Sequence, residues 1–148
     1  MCDYELLCRQ LAALTEGIPY QTANLANASA LINEAMEDVN WVGFYMMQDG
    51  RLVLGPFQGR VACIEIPVGK GVCGTAVALD ETQLVPDVHL FPGHIACDSA
   101  SESEIVVPIH KEGSVFGVLD IDSPIKNRFT EADREGLEQI VALLEKML

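Results

Sequence analysis

Residues 104–110, EIVVPIH, and 114–123, SVFGVLDIDS, are two nearly continuous apolar runs parted only by the turn Lys111 to Gly113. A strand with one face in water alternates apolar and polar residues, whereas a strand covered on both faces does not. The two runs therefore predict neighbouring strands inside an antiparallel sheet with protein packed above and below. Carboxylates are out of place there, yet Glu104, Asp120 and Asp122 interrupt or border the runs. Each costs on the order of several kcal/mol if buried without a partner. Asp120 and Asp122, two residues apart, share one face of their strand. Either they are strand-end residues in water, or they form an acid cluster that holds an ammonium group or donates a proton.

The rest of the chain supplies the covering layers. DYELLCRQLAALTEG, residues 3–17, carries Leu6, Leu7, Leu11 and Leu14 on a helical stripe stopped by Gly17 and Pro19, with Cys8 beside it as a small buried hydrophobe. TANLANASALINEAMEDV, residues 22–39, repeats the pattern through Leu25, Leu31, Ile32 and Met36. From Asn40 the texture changes to the short runs WVGFYMM, RLVLGPF and VACIEIPV, separated by an Asp49-Gly50 turn and a loop over Pro56 to Arg60, which predict a meander. In the first run Trp41, Gly43 and Tyr45 fall on one face and Val42 and Phe44 on the other. GKGVCGTAVALD, residues 69–80, reads as a short helical turn, and residues 85–103 as a long loop of functional character. Thr130, with Asp133 in the capping-box position, opens a last helix whose buried face is Leu137, Ile140, Val141 and Leu144. The order predicts an α+β domain, an antiparallel sheet with its helices on one side and no internal repeat or linker.

With 148 residues, 49% of them apolar, the chain can bury the core of one ordinary domain. No apolar run approaches the roughly 20 residues of a membrane span. The N-terminus, MCDYELLCRQ, is acidic where a secretory signal is basic, so a cytoplasmic protein is expected. A net charge of −13 repels nucleic-acid phosphates and anionic membranes, and it suits cationic or zwitterionic small ligands. The five cysteines, at 2, 8, 63, 73 and 97, lack the spacing of a secreted disulfide scaffold and are expected as thiols in a reducing compartment. Cys97 follows the turn PGHIA, and its neighbour His94 can favour a thiolate. Cys63, in VACIEI, reads more simply as an inward strand residue. Cys63, Cys73 and Cys97 with His89 and His94 are a conceivable zinc set, but no Cys-x-x-Cys pair supports it, and no metal or cofactor is expected. His89 and His94 are expected to order their loop; His110 carries no readable role.

Four segments, NWVGFY, LGPFQGRVACIEIPVGKGVCGTA, VPDVHLFPGHIACDSASESEIVVPI and GVLDIDSPIKNRFTEAD, together resemble the GAF-domain enzymes called free methionine-(R)-sulfoxide reductases. The resemblance spans roughly Asn40 to Leu144, and GKGVCGTA with FPGHIACD is more restrictive than the general GAF pattern. It implies a single GAF domain over 1–148, with N-terminal helices in 1–38, sheet and active-site loops in 40–123 and a C-terminal helix in 130–148. It also implies a reaction in which the Cys97 thiolate attacks the sulfoxide sulfur of free methionine-(R)-sulfoxide and methionine leaves. The resulting sulfenic acid is then captured by Cys63, or by Cys73 as auxiliary or alternative, and thioredoxin reduces the disulfide. By the same resemblance Glu104, Asp120 and Asp122 protonate the sulfoxide oxygen and hold the substrate ammonium, Trp41 and Tyr45 wall its methyl group, and backbone N–H groups take its carboxylate. Enclosing both charged ends excludes methionine sulfoxide within a polypeptide. Such an enzyme belongs to the response to oxidative stress, and a homodimer is among the assemblies admitted. The alternative is a noncatalytic GAF module for a small ligand or cyclic nucleotide, since NRFTEADRE is common across GAF domains. Against it stand three cysteines without purpose in a nucleotide pocket and the lack of an output domain in these residues. A third class is a zinc-stabilised structural protein.

Overall fold

The computed structural model describes residues 2–94, 97 and 99–148. Helices α1 (Tyr4–Thr15) and α2 (Gln21–Ala35) precede strands β1 (Trp41–Gln48), β2 (Arg51–Gly59) and β3 (Glu65–Pro67). Helix α3 (Gly71–Leu79) and strand β4 (Gln83–Val85) lead through a 3-10 turn, Val88–Leu90, to β5 (Ser103–Lys111), β6 (Ser114–Ser123) and helix α4 (Glu131–Glu145). The six strands form one antiparallel sheet in the order β3-β2-β1-β6-β5-β4. The apolar hairpin of the sequence is β5–β6, and both its strands are interior, so the expected α+β architecture is the observed one.

Local chemistry sets the ends of the elements. Asp3 caps α1 by accepting from the Leu6 N–H, and Thr130 and Asp133 form the anticipated capping box on α4. Asp49 and Gly50 both take positive φ, 52° and 80°, which gives the β1–β2 hairpin a turn whose twist matches its strands. The predicted loop over Pro56 to Arg60 is instead strand, because β2 runs to Gly59. The ladder shifts between Gly43, opposite Phe57, and Tyr45, opposite Leu54. Pro56 falls in that bulge, where its missing N–H breaks no ladder bond. Conversely, only Glu65–Pro67 of VACIEIPV pairs as strand, so Cys63 is a loop residue rather than an inward strand residue.

One face of the sheet, formed by Val42, Phe44, Ile105, Val107, Ile109, Leu119 and Ile121, packs against α1, α2 and α4. Leu7 and Leu11 carry the α1 contact, while Leu6 and Leu14, expected on the stripe, are 42% and 43% exposed. The buried stripe of α1 is spaced by four, Leu7-Leu11-Thr15, one residue off the predicted edge. Cys8 packs at the margin of this core, as anticipated. The helices are not all on one side, however, as α3 lies on the opposite face, where Val72, Cys73 and Ala76 meet Trp41, Tyr45, Val106 and Val118. Small residues permit that approach: a Cβ on Gly74 would collide with the Pro67 carbonyl oxygen. Ser103, the expected loop end, already belongs to β5, and the loop positions Ile95, Ala96 and Asp98 lie outside the described residues. No helix among the described residues is long and apolar enough to cross a membrane.

Candidate active site

Strand register assembles the acids. Glu104 on β5 pairs with Asp122 on β6, which pairs on its other side with Trp41 of β1, and Asp120 sits between Val106 and Gly43. Residues two apart on a strand share a face, so Trp41, Tyr45, Glu104, Asp120 and Asp122 all project away from the three-helix layer. Helix α3 and the loop carrying Cys97 cover them. The resulting pocket, a cavity of about 40 Å³, is lined by these five residues together with Cys73, His94, Cys97 and Ser101, and by Ala62, Ile66, Gly71 and Val72 at its edges.

Aromatic stacking builds one wall. The Trp41 ring lies between Tyr45 and Phe57, with ring centroids 5.8 and 5.1 Å apart. Gly43 is obligatory beneath it, since a Cβ there would overlap Phe57 and the Trp41 ring. Both polar tips are used: Trp41 Nε1 donates to the Arg60 carbonyl at 3.1 Å, and the Tyr45 hydroxyl donates to the Cys63 carbonyl at 2.9 Å. Burial, and after it the facing carboxylates, raise the Tyr45 phenol well above its ordinary range, so it stays a donor.

The thiols divide into two states. Cys63 and Cys97 are joined in a disulfide with their Cα atoms 5.5 Å apart, well within bridging range, whereas the sequence led us to expect all five cysteines as thiols. The partners are 34 residues apart along the chain, so no local motif announces the bond. Cys73 is free and buried near the start of α3, and its thiol is held protonated by burial and then by the charges of Asp120, Glu104 and Asp122. Cys2 and Cys8 are free and lie off the pocket.

Glu104 and Asp120 are buried within the sheet rather than at solvated ends. Burial raises all three carboxyls above the usual range; the charges of Asp120 and Asp122 add to the rise at Glu104, and that of Asp120 to the rise at Asp122. The three carboxyls and the Cys73 thiol perturb one another, with Glu104, Asp122 and Cys73 acting as donors toward Asp120. Such an arrangement holds at least one acid neutral, able to donate. One oxygen each of Asp120 and Asp122, Oδ1, is buried without a hydrogen-bond partner and can accept from a cation.

The histidines do not all behave as expected. Burial, and then the neighbouring His89, lower the His94 pKa in the disulfide form, where the ring lines the pocket with Cys97. His89 meets Glu102 at 3.0 Å, and its backbone N–H is taken by Asp87, as loop-ordering contacts. His110, silent in the sequence, sits between Asp80 and Glu145 and ties the ends of α3 and α4 to β5. Of the conceivable zinc set, Cys63 and Cys97 are bonded to each other in this structure. Among the described residues, two other groups have ligand atoms within 4.8 Å of one another, a spacing a metal would accept: Cys73 with Glu104 and Asp120, and Asp87 with His89 and Glu102. Sequence reasoning missed Ser101, buried in the pocket lining and accepting from Asn40 Nδ2 at 3.3 Å. Its one signal was a hydroxyl in the small-residue run just before an apolar strand.

A six-stranded antiparallel sheet with helices behind and a roofed pocket in front defines the class, and residues 20–148 match the GAF domain model. Free methionine-R-sulfoxide reductase of Escherichia coli is 56% identical over 98% of this chain and 88% of that protein. The structure of fRMsr of Staphylococcus aureus in complex with substrate superposes with a TM-score of 0.96 at 54% identity, covering 100% of this chain and 97% of that one. Free methionine-R-sulfoxide reductase of Neisseria meningitidis, also in complex with its substrate, gives a TM-score of 0.94 at 44% identity over 97% and 87% of the two chains. The chain therefore belongs to the free methionine-R-sulfoxide reductase family of GAF domain proteins.

Proposed function

We propose that this protein reduces free methionine-(R)-sulfoxide to methionine, with Cys97 as nucleophile and Cys63 as the resolving thiol. The observation that carries the reading is the meeting, in one pocket, of a sulfur already paired with a second cysteine and an acid cluster held partly protonated by burial. The Cys97 thiolate attacks the sulfoxide sulfur while Glu104 or its partner Asp122 protonates the oxygen. The sulfoxide S–O bond breaks and its oxygen leaves as water, a water then attacks the Cys97 sulfur, and the bond between the two sulfurs breaks to release methionine and leave Cys97 as a sulfenic acid. The Cys63 sulfur then attacks the Cys97 sulfur, the S–S bond forms and water leaves. A dithiol protein of thioredoxin type returns both cysteines to thiols.

The free oxygens of Asp120 and Asp122 suit the substrate ammonium, and Trp41 with Tyr45 suits its methyl group. The N-terminus of α3, which lines the pocket at Gly71 and Val72, suits its carboxylate. Cys73, hydrogen-bonded to Asp120 as a neutral thiol, serves as an auxiliary. In the disulfide form the Cys97 sulfur is already bonded, so reduction of that bond precedes attack on substrate. We take residues 1–148 as one GAF unit, since Tyr4 of α1 donates to Asp133 of α4 at 2.6 Å and ties the residues before the family match to the rest. On this reading the protein works in the cytoplasm under oxidative stress, as a single chain or a homodimer, without nucleic acid or membrane.

The test is to incubate reduced protein and dithiothreitol with free methionine-R-sulfoxide, its S epimer and a peptide-bound sulfoxide, and to quantify methionine or reduced peptide. Only the free R epimer should be consumed. Equal rates on the peptide would sink the specificity, and no methionine from any substrate would leave the noncatalytic GAF module as the better reading.

A further inference from the structure

The loop between β2 and β3 that carries Cys63 is exposed on both sides of the cysteine, with Val61 88% and Ile64 71% accessible. Between them Ala62 and Cys63 pack only partly against the pocket-side core. Besides the disulfide, three hydrogen bonds hold the loop: Trp41 Nε1 reaches the Arg60 carbonyl, the Tyr45 hydroxyl reaches the Cys63 carbonyl itself, and the Leu54 N–H reaches the Ile64 carbonyl at 2.9 Å. The Tyr45 bond is the one that ends on the resolving residue. Its donor ring is rigid, because Tyr45 is 2% exposed, stacked on Trp41 and rooted in β1 between β2 and β6.

We propose that Tyr45 is the positioning residue of the resolving step: through its hydroxyl it holds Cys63 where the Cys63 sulfur can attack a Cys97 sulfenic acid. This rests on the proposed thiol chemistry but assigns Tyr45 a task beyond walling the substrate. In the step concerned, the Cys63 thiol and the Cys97 sulfenic acid combine, the Cys97 S–O bond breaks, the S–S bond forms, and the oxygen leaves as water with the proton released from Cys63. No co-reactant is needed, since the sulfoxide has already supplied the oxidising equivalent. Removal of the hydroxyl leaves the aromatic wall in place, so substrate reduction and resolution become separable. A hydrogen bond of this kind corresponds to about a tenfold change in rate when it serves only to place a nucleophile.

Tyr45→Phe tests the assignment. In single turnover with free methionine-R-sulfoxide the rate of disulfide formation should fall about tenfold relative to the variant's own rate of methionine release, and a dimedone-trappable sulfenic acid should accumulate at Cys97. Tyr4→Phe, which deletes another buried tyrosine hydrogen bond on the far side of the sheet, serves as control and should leave both rates unchanged. A second arm generates the sulfenic acid with hydrogen peroxide in place of the sulfoxide, so that resolution is measured even if the protein turns out not to reduce methionine sulfoxide. Disulfide formation at the wild-type rate in Tyr45→Phe, in the peroxide arm, overturns the proposal. A parallel fall for Tyr4→Phe would overturn it too, by reducing the effect to general destabilisation, which thermal melts of both variants would register.

Discussion

The two faces of the central sheet are built from the same strands and obey opposite rules. On the helix-covered face Val42, Phe44, Ile105, Leu119 and Ile121 make a dry layer, where stability comes from apolar area removed from water. On the pocket face the alternate residues are Trp41, Tyr45, Glu104, Asp120 and Asp122, and three carboxyls crowd where burial opposes their charge. The lesson is a division of labour with period two. One face stabilises the fold and the other tolerates strain for chemistry, so a substitution one residue along β6 changes which property is lost.

The sharpest break of that comparison is at the sulfur. Cys97→Ser should abolish even a single turnover. Cys63→Ser should still release about one methionine per chain before stalling as a sulfenic acid, because resolution follows chemistry. Methionine counted by chromatography against protein concentration decides it. Sustained turnover by Cys63→Ser would move the resolving role to Cys73.

Next in size come the acids. Glu104→Gln should lower kcat by on the order of 10²–10⁴-fold, the usual range for a lost general acid, and leave the fold intact or firmer. An acid whose folded pKa is raised loses stability as pH climbs from the ordinary carboxyl value toward the raised one, because the unfolded chain ionises first. Wild-type stability should therefore decline with pH from about 4 upward, and Glu104→Gln should flatten that decline. Denaturant titrations of both proteins between pH 4 and pH 8 check the sign, and identical slopes would contradict the raised pKa.

Leu119, the neighbour of Asp120 on the other face, supplies the counterpart. Leu119→Ala should cost about 2–5 kcal/mol of folding stability through the cavity it leaves, with kcat/KM per folded molecule little changed. A large activity loss at full folding would show that the two faces are not separable.

The smallest expected effect lies outside both faces. Burial pulls the His110 pKa down, but the carboxylates of Asp80 and Glu145 outweigh it and leave it raised. Its contribution to stability is then present below the ordinary histidine value of about 6.5 and lost as pH rises through the raised one. His110→Gln should lower Tm slightly at pH 6 and not at pH 9, and added salt should erase the difference, since the pair is open to solvent.

Much of this molecule was legible in one dimension. Texture and periodicity located the interior hairpin, the capping box at Thr130, the last helix and the face shared by Trp41, Gly43 and Tyr45, because these depend on neighbours a few residues away. The carboxyls in apolar strands were conspicuous for the same reason: the cost of a buried charge is visible wherever a pattern is interrupted. Three matters needed the folded chain. Glu104 faces Asp122 only by strand register, α3 crosses to the far side of the sheet only because Gly74 lets it approach the Pro67 carbonyl, and Cys63 meets Cys97 across 34 residues of chain. Sequence by itself determined which residues are costly, apolar or reactive, since those are properties of side chains and their near neighbours. Tertiary structure decided which of them meet and in which protonation state, since contact across long loops and desolvation exist only once the chain has closed on itself.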